Sequence, residues 1–520
     1  MMGVATRSTI GDGLRRAAEI YRHKPALTFA GRTWSFADID LAADRVARWL
    51  LACGLQRGDR VGALGRNSDA YLFLWLGCTR AGLIHVPINY ALTGGELDFI
   101  LRQCGARALL FQPSLRETAM AAAERAGISL AGTLDGRDEF DALRAATNPR
   151  WGSPGDPAPD GAGCDDDLVQ LLYTAGTTGR SKGAMMTHWA FLAQYASCIV
   201  AYGYTSEDRS LAALPLYHSA QMHVCLLPSL LVGGFSYLIE TPEPALVLEL
   251  IERERITSFF APPTVWIAIL RHPDFDRRDL SSLRRLQYGA SIMPVPVLEE
   301  LRQRLPGAGP YNSYGQSEIA PLATVLRPEE HDARPASVGR PVLNVRTRVV
   351  DTEMQDCPPG VQGEIVHRSP QLLQGYWEMP DETARAFKGG WFHSGDIGTM
   401  DEAGYITVVN RLRDLINTGG VLVASREVEE ALFTHPLVAE VAVIAMPDPK
   451  WIEAVTAVVV LRNGAAAGSA EDVERCLIAH VRERLAPFKV PKRVHITDAL
   501  PKSTAGKLLK RELRVRYAQV

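Results

Sequence analysis

Residues 173–183 form the segment of this chain whose side chains are best suited to chemistry. They read Tyr-Thr-Ala-Gly-Thr-Thr-Gly-Arg-Ser-Lys-Gly. Small residues let a backbone turn its N–H groups toward a ligand, and hydroxyl groups beside an ammonium group suit a polyphosphate. The apolar run of residues 168–172 predicts a buried strand just before them. We therefore predict a phosphate-binding turn whose contact residues are Thr174, Gly176, Thr177, Thr178, Gly179 and Lys182.

This segment differs from the common phosphate loop. That loop ends in Gly-Lys followed by Ser or Thr, whereas Gly183 follows Lys182 here. A flexible surface loop is the alternative interpretation of so many small residues.

Three side chains further along the chain offer what a nucleotide needs besides a phosphate loop. Tyr314 has a flat face for a purine. Glu318 has a hard carboxylate oxygen for Mg²⁺. Asp396 can accept hydrogen bonds from both ribose hydroxyls. Considered alone, each is equally well explained as an ordinary surface residue.

The loop sequence resembles the phosphate-loop signature of the adenylate-forming enzymes, which include acyl-CoA ligases, stand-alone adenylation domains and luciferases. Ala175 stands where Ser is usual, and Ser181 where Pro is usual. Further segments match the family in order and extend the resemblance over residues 24–514. They are residues 214–219, 287–291, 311–318, 391–396 and 501–507. The chain is most like bacterial fatty-acyl- or aryl-CoA ligases.

The resemblance implies roles for residues around ATP. Ser317, in place of the more usual Thr, is implied to donate to the α-phosphate, and Lys507 matches the catalytic lysine of the terminal motif. The implied catalytic residues are Lys507, Ser317, Glu318 and His218. The other implied nucleotide contacts are Gly289, Ala290, Ser291, Asn312, Tyr314, Asp396 and Arg411.

An acyl pocket is implied beside an aromatic-His pair. Its candidate residues are Tyr217, His218, Met222, Phe260 and Gly315. Relatives that activate amino acids carry an Asp here, but residues 214–223 contain no acid. Because a buried ammonium group without a carboxylate is costly, we expect an apolar acid: fatty, aryl or terpenoid.

The resemblance also implies a mobile small domain. Asp414 matches the family's hinge residue, and Gly419, Gly420 and Trp451 lie where relatives admit coenzyme A. Two departures occur here: residues 421–425 lack the usual acid, Asn and Pro, and Ile452 stands where Gly is common.

Alternating helix and strand signals in the first 110 residues favour a layered α/β architecture. The capping-box patterns Ser35-x-x-Asp38 and Ser469-x-x-Asp472 predict helix starts. Strand candidates at 438–445 and 454–461 with two helices predict a small α+β unit at the end. We predict a large multi-layer α/β domain over residues 1–413 and a small α+β domain over 414–520, the adenylate-forming enzyme fold.

Composition is that of an ordinary globular protein. The 520 residues are 47% hydrophobic and 22% charged with a net charge of -3, which gives no reason to expect nucleic acid as a partner. Eight cysteines form no Cys-x-x-Cys pair, so neither a zinc site nor a disulfide framework is indicated. No signal peptide or membrane span is evident, and we expect a cytoplasmic monomer or homodimer.

Together these observations predict an AMP-forming acyl-CoA ligase that uses ATP, Mg²⁺ and coenzyme A. Four alternatives stay open at this point. The chain could load a carrier protein, perform one half-reaction only, act as a luciferase-like oxygenase, or be a non-catalytic binding protein on the same scaffold.

Overall fold

The structure, a computed structural model, describes residues 8–92, 94–157, 159, 163–174, 181–289, 291, 293–411, 415–418, 421–448, 451–462, 469–504, 506 and 508–518. For residues 411, 421 and 422 it describes the backbone alone. Nine predicted site residues lie outside the described residues. They are Gly176, Thr177, Thr178, Gly179, Ala290, Asp414, Gly419, Gly420 and Lys507.

Helices and strands alternate along the first 110 residues, as predicted, and the alternation continues to residue 147. They are α1 (Ile10–Ile20), β1 (Pro25–Phe29), β2 (Arg32–Ser35), α2 (Phe36–Ala52), β3 (Arg60–Leu64), α3 (Asp69–Ala81), β4 (Ile84–Ile88), α4 (Gly94–Gln103), β5 (Ala106–Phe111), α5 (Arg116–Ala126), β6 (Leu130–Thr133) and α6 (Ala142–Thr147).

A second series of alternating helices and strands begins at Leu168. It comprises β7 (Leu168–Thr174), β8 (Lys182–Thr187), α7 (His188–Tyr202), β9 (Arg209–Ala212), a π-helix (Gln221–Leu226), α8 (Leu227–Leu231), β10 (Phe235–Leu238), α9 (Pro244–Arg253), β11 (Ser258–Ala261), α10 (Pro263–Leu270), β12 (Arg285–Gly289), α11 (Val295–Arg304), β13 (Gly309–Tyr314), β14 (Thr324–Leu326) and β15 (Arg340–Pro341).

These strands form two mainly parallel sheets. One has the order β6-β5-β3-β4-β7-β8 and is parallel except for the β7–β8 pair. The other has the order β15-β14-β13-β12-β11-β9-β10-β1-β2, with antiparallel pairs only toward its two edges. One apolar core joins α2 and α3 to strands of both sheets. The carboxyl ends of parallel strands share one edge of a sheet, where ligands bind in open α/β folds.

An antiparallel sheet of order β16-β17-β18-β19 comes next. Its elements are β16 (Arg346–Val350), β17 (Gly363–Arg368), α12 (Pro380–Ala386), β18 (Phe392–Met400) and β19 (Ile406–Arg411).

The remaining elements build a separate small sheet with an apolar core of its own. They are β20 (Leu415–Thr418), β21 (Val421–Ala424), α13 (Ser425–Phe433), β22 (Val438–Asp448), β23 (Ile452–Leu461), α14 (Ala470–Arg482), β24 (Arg493–Ile496) and α15 (Lys510–Tyr517). Strands β22 and β23 extend three and two residues beyond the predicted runs, to Asp448 and back to Ile452, because they continue as one antiparallel hairpin.

The capping-box patterns predicted helix starts that the structure confirms. The capping box at Ser35 forms: Asp38 N donates to Ser35 Oγ at 3.2 Å, and Ser35 N donates to Asp38 Oδ2 at 2.9 Å.

The spacing of Tyr71, Leu74, Trp75 and Cys78 predicts a helix over residues 67–81 with one apolar face. Helix α3 begins instead at Asp69, because the Ser68 hydroxyl accepts from Tyr71 N and caps the helix there.

Of the helices that the structure describes, none combines the length and the apolar character that crossing a bilayer requires.

Candidate active site

The predicted phosphate loop joins the paired strands β7 and β8. Strand β7 confirms the predicted buried strand and ends at Thr174, which is paired with Lys182 at the start of β8. Residues 175–180 between them lie outside the described part of the chain. The antiparallel pair therefore fixes both ends of the loop at one point of the six-stranded sheet.

The ion-pair partner of Lys182 is an acidic residue that belongs to none of the predicted motifs. Its ammonium group forms an ion pair with Glu382 at the start of α12 and lies 5.2 Å from the centroid of the Tyr376 ring. The hydrogen bond from Lys182 lowers the pKa of the Glu382 carboxyl. The charge of Lys182 is thus already partly compensated where the loop rejoins the sheet.

Glu318 lies beside the other end of the loop as a buried carboxylate. Thr174 Oγ1 donates to Glu318 Oε1 at 2.9 Å, and the Tyr376 hydroxyl donates to the same oxygen at 3.2 Å. Burial, together with the neighbouring Glu318, raises the pKa of Tyr376 and keeps its phenol a donor. No lysine or arginine among the described residues forms an ion pair with Glu318. Burying a carboxylate without a compensating cation is costly, so this position suits a bound cation.

Tyr314 and Asp396, predicted as purine and ribose contacts, are brought together. The Tyr314 hydroxyl donates to Asp396 Oδ2 at 2.8 Å. Asp396 on β18 is also paired with Arg411 at the end of β19, so the two predicted ribose contacts are neighbours in one sheet. The hydrogen bond ties the antiparallel sheet to the end of β13.

The small-residue segment lies against the same strand. A side chain at Gly289 would place its Cβ 2.4 Å from the carbonyl oxygen of Ser313 on β13, so only glycine fits there. Ser291 follows as an exposed residue. Asn312 in β13 donates from Nδ2 to Ser337 O at 2.8 Å and holds the neighbouring loop.

Ser317 and the segment around His218 also meet. The hydroxyl groups of Ser317 and Ser219 lie 2.9 Å apart, within hydrogen-bond distance. His218 is partly exposed and its Nδ1 accepts from Ala220 N at 3.4 Å. The two predicted catalytic side chains therefore belong to neighbouring segments.

The predicted acyl-pocket residues separate into different surroundings. Phe260 belongs to an apolar cluster with Val224, Ile319 and the partly buried Tyr314. Met222 is fully buried in the other core with α2 and α3, so the structure does not bring it to Phe260. The Tyr217 hydroxyl contacts Thr504 of the terminal motif.

Gly315 lies where no other residue fits. Its φ is +157°, and a Cβ there would lie 1.9 Å from the carbonyl oxygen of Pro321. The backbone after β13 therefore passes close to the segment that carries Ile319 and Leu322, both of which belong to the Phe260 cluster.

The terminal motif lies against the large sheets. Thr504 Oγ1 donates to Asn89 Oδ1 at 3.4 Å, and Thr264 Oγ1 donates to Gly506 O at 2.9 Å. Position 507 itself lies outside the described residues, but its neighbour Gly506 is in contact with α10. Sequence reasoning missed Asn89 and Thr264, since neither belongs to a recognisable motif.

Of the predicted coenzyme A residues, Gly419, Gly420 and Trp451, the structure describes only Trp451. Thr418, which ends β20, is paired with Ile452 on β23, beside Trp451. Ile452 has a φ of +67°. That conformation favours glycine, which gives a physical reason why Gly is common at this position in relatives.

The chain is similar in sequence and in fold to known proteins. A family model described as AMP-binding enzyme matches residues 14–377, and one described as AMP-binding enzyme C-terminal domain matches residues 427–507. A feruloyl-CoA synthase from an Amycolatopsis species is 38% identical over 98% of this chain and 99% of its own. The medium/long-chain-fatty-acid–CoA ligase FadD8 of Mycobacterium tuberculosis is 34% identical over 99% and 91%. ATP-bound MatB from Rhodopseudomonas palustris is similar in structure, with a TM-score of 0.88 at 32% identity over 98% of this chain and 99% of that one.

Proposed function

The chain belongs to the AMP-binding enzyme family, and on that premise we propose that it is an ATP-dependent, AMP-forming acyl-CoA ligase. It activates an apolar carboxylic acid as an acyl adenylate and then transfers the acyl group to the thiol of coenzyme A. Its similarity to a feruloyl-CoA synthase and a fatty-acid–CoA ligase along nearly the whole of each chain supports this assignment.

The observation that carries the proposal is the environment of Glu318. Its buried carboxylate is held by a hydroxyl at the first residue of the phosphate loop and by no described cation. A triphosphate in the loop would lie next to it. The site therefore combines phosphate-binding backbone with a carboxylate that requires a positive charge.

These residues fit Mg²⁺. Glu318 and the Thr174 hydroxyl are hard oxygen donors, and no cluster of three or more His, Cys, Asp or Glu side chains occurs among the described residues. Mg²⁺ commonly takes one or two carboxylates and completes its shell with phosphates and water. Bound there, it would neutralise phosphate charge.

In the first step the carboxylate oxygen of the acid forms a bond to the α-phosphorus, and the bond to the pyrophosphate oxygen breaks. Ser317 holds the α-phosphate, and Asp396, oriented by Tyr314, holds the ribose. Lys507, which the terminal motif carries, supplies positive charge where the anionic carboxylate of the acid meets the anionic α-phosphate. Positive charge placed where negative charge develops contributes several kcal/mol.

The part of the acid beyond its carboxylate is apolar. The cluster around Phe260 is aliphatic and aromatic. Beside Phe260 in register on β12 lies Gln287, which accepts from Ser258 Oγ at 2.9 Å and donates to the Tyr204 hydroxyl at 2.8 Å. These three polar groups satisfy one another, so the choice between an aryl and a fatty acid is left to the assay.

In the second step the thiol sulfur forms a bond to the acyl carbon, the bond to AMP breaks, and the thiol proton is released. Trp451, Gly419 and Gly420 are the residues assigned to guiding the thiol. A division into residues 1–413 and 414–520, with Asp414 as the hinge, lets this sheet serve both steps.

The test is acid-dependent exchange of labelled pyrophosphate into ATP with ferulate, cinnamate, decanoate and phenylalanine, with coenzyme A consumption followed separately. We expect exchange with ferulate or decanoate at least roughly tenfold above phenylalanine, about 1.4 kcal/mol, and acid-dependent thioester formation. Absence of exchange with every acid would refute the assignment. Exchange without coenzyme A consumption would favour transfer to a carrier protein or a single half-reaction.

A further inference from the structure

Thr504 in the terminal motif is the meeting point of two side chains from the large sheets. Its hydroxyl donates to Asn89 Oδ1 at 3.4 Å and is in hydrogen-bond contact with the Tyr217 hydroxyl. Because Thr504 has one hydroxyl proton and gives it to Asn89, the Tyr217 hydroxyl must be the donor to Thr504. Asn89 is itself fixed, since its Oδ1 also accepts from Ala91 N at 3.0 Å.

Tyr217 is held in place as a neutral donor. Its ring packs edge-on against the Tyr90 ring with centroids 5.7 Å apart. The Arg66 guanidinium in turn lies 5.2 Å from the centroid of the Tyr90 ring. Burial raises the pKa of Tyr217 to about 12. The phenol therefore keeps its proton at every pH at which the protein would be assayed.

Thr264 makes a second, separate contact two residues further along the motif. It lies in the first turn of α10 and donates from Oγ1 to Gly506 O at 2.9 Å. Gly506 has a φ of +77°, and a Cβ there would lie 3.0 Å from Thr264 Oγ1 and 3.1 Å from Pro262 Cγ. Glycine thus lets the turn approach α10 closely with its carbonyl oriented toward Thr264.

We propose that Tyr217, Asn89 and Thr264 form a docking site for the turn of residues 503–507 and position Lys507 for acid activation. The inference rests on the proposed function. The contacts at Thr504 and Gly506 hold the described residues that precede position 507, and they are the reason for assigning the positioning of Lys507 to these side chains. They are positioning residues; Tyr217 has this role in addition to, or in place of, lining the acyl pocket.

The chemistry of the docking site suits a contact that must also be released. The three hydrogen bonds described at Thr504 and Gly506 join neutral groups, and each such bond shifts an equilibrium by roughly two- to tenfold. Three of them favour the docked turn without locking it. A charged pair would be harder to separate, because each separated charge would have to be rehydrated.

The experiment compares Tyr217→Phe, Thr264→Val and the double variant with wild type. These changes remove a hydroxyl while keeping shape. We expect each to lower the rate of acid-dependent pyrophosphate exchange by roughly two- to tenfold, with unchanged KM for ATP, and the double variant to lower it further. Thioester formation from supplied acyl adenylate and coenzyme A should stay at the wild-type rate in Thr264→Val, whose residue is not assigned to the acyl pocket. Tyr405→Phe, which removes a hydroxyl bonded to Glu330 away from the turn, is the matched control.

Hydrogen–deuterium exchange of peptides that contain residues 503–510 supplies a readout independent of activity. We expect faster uptake there in Tyr217→Phe and Thr264→Val than in wild type or Tyr405→Phe. If uptake is unchanged, or if both half-reactions fall equally in Thr264→Val, the docking site is refuted. If wild type itself shows no pyrophosphate exchange, the proposed function fails, while deuterium uptake still decides whether these residues hold the turn.

Discussion

The N-terminal and C-terminal sides of the candidate site are held by different kinds of contact. On the N-terminal side, Glu318 is a buried carboxylate with two hydroxyl donors, and Lys182 is paired with Glu382. On the C-terminal side, the terminal turn is held through Thr504 and Gly506 by neutral hydroxyl and amide groups.

This difference separates what must stay in place from what must move. Breaking a partly buried charged contact exposes uncompensated charge and is costly, whereas a neutral hydrogen bond contributes only about 0.5–1.5 kcal/mol net. We therefore propose that the N-terminal side is a fixed receptor for the nucleotide and that the C-terminal side is brought to it and withdrawn.

The largest effect should follow from Lys507→Ala. It removes the cation that the docked turn carries, and we expect pyrophosphate exchange to fall about 10³-fold, with thioester formation from supplied acyl adenylate spared. Lys502→Ala is the control, because Lys502 belongs to the same motif but pairs with Glu440. Equal loss of both half-reactions would mean that Lys507 is needed in both steps, and would contradict its assignment to a group that withdraws after the first step.

Glu318→Gln should have the next largest effect. The amide keeps an oxygen for Thr174 but loses the charge, so we expect exchange to fall about 10²-fold and the Mg²⁺ concentration for half-maximal rate to rise. Glu329→Gln, at an exposed position in the 3-10 helix Pro328–Glu330, is the control. An unaltered Mg²⁺ dependence would contradict the role given to the buried carboxylate.

Lys182→Ala should reduce stability as well as activity, unlike any change in the terminal turn. It leaves Glu382 with the exposed Arg385 as its remaining described ion-pair partner, and we expect a loss of about 1 kcal/mol in the free energy of unfolding. Glu382→Gln, which retains an acceptor for Lys182, should cost less. Urea unfolding followed by circular dichroism measures both.

Ile452→Gly should stabilise the C-terminal side slightly. A β-branched residue at φ +67° is strained, and the Ile452 side chain is 60% exposed, so little burial is lost. We expect a gain of about 1 kcal/mol. Ile452→Ala keeps a Cβ at the same φ and should gain less; equal effects of the two changes would show that the backbone conformation is not the cause.

Local signals in the sequence predicted much of the fold. The capping boxes at Ser35 and Ser469 and the strand before the phosphate loop depend on residues within a few positions of each other, and all of them form. Helix α3 was predicted to bury one face, but all of its residues are buried. Burial on every side depends on packing between distant elements, which a helical period does not report.

The site was predicted less completely for the same reason. Motifs identified Glu318, Tyr314 and Asp396, but not the partners that hold Glu318 and Lys182. Glu382 lies 200 residues from Lys182, and Tyr217 lies 287 residues from the Thr504 that it contacts. Such pairs become visible only when the fold brings them together.

Movement of the terminal turn can be tested most directly by a reversible crosslink. A Cβ at position 506 would lie 3.0 Å from Thr264 Oγ1, roughly the separation of a Cβ from the far sulfur in a disulfide. The variant Thr264→Cys/Gly506→Cys, made with Cys476→Ser to remove the exposed native thiol, should therefore oxidise in the docked state. Each single cysteine variant serves as a control.

We predict that the oxidised, crosslinked enzyme still exchanges pyrophosphate into ATP with its acid but forms no thioester with coenzyme A. Reduction with dithiothreitol should restore thioester formation. Thioester formation by the oxidised enzyme at the reduced enzyme's rate would contradict this prediction, because the turn would then have no need to leave its docking site.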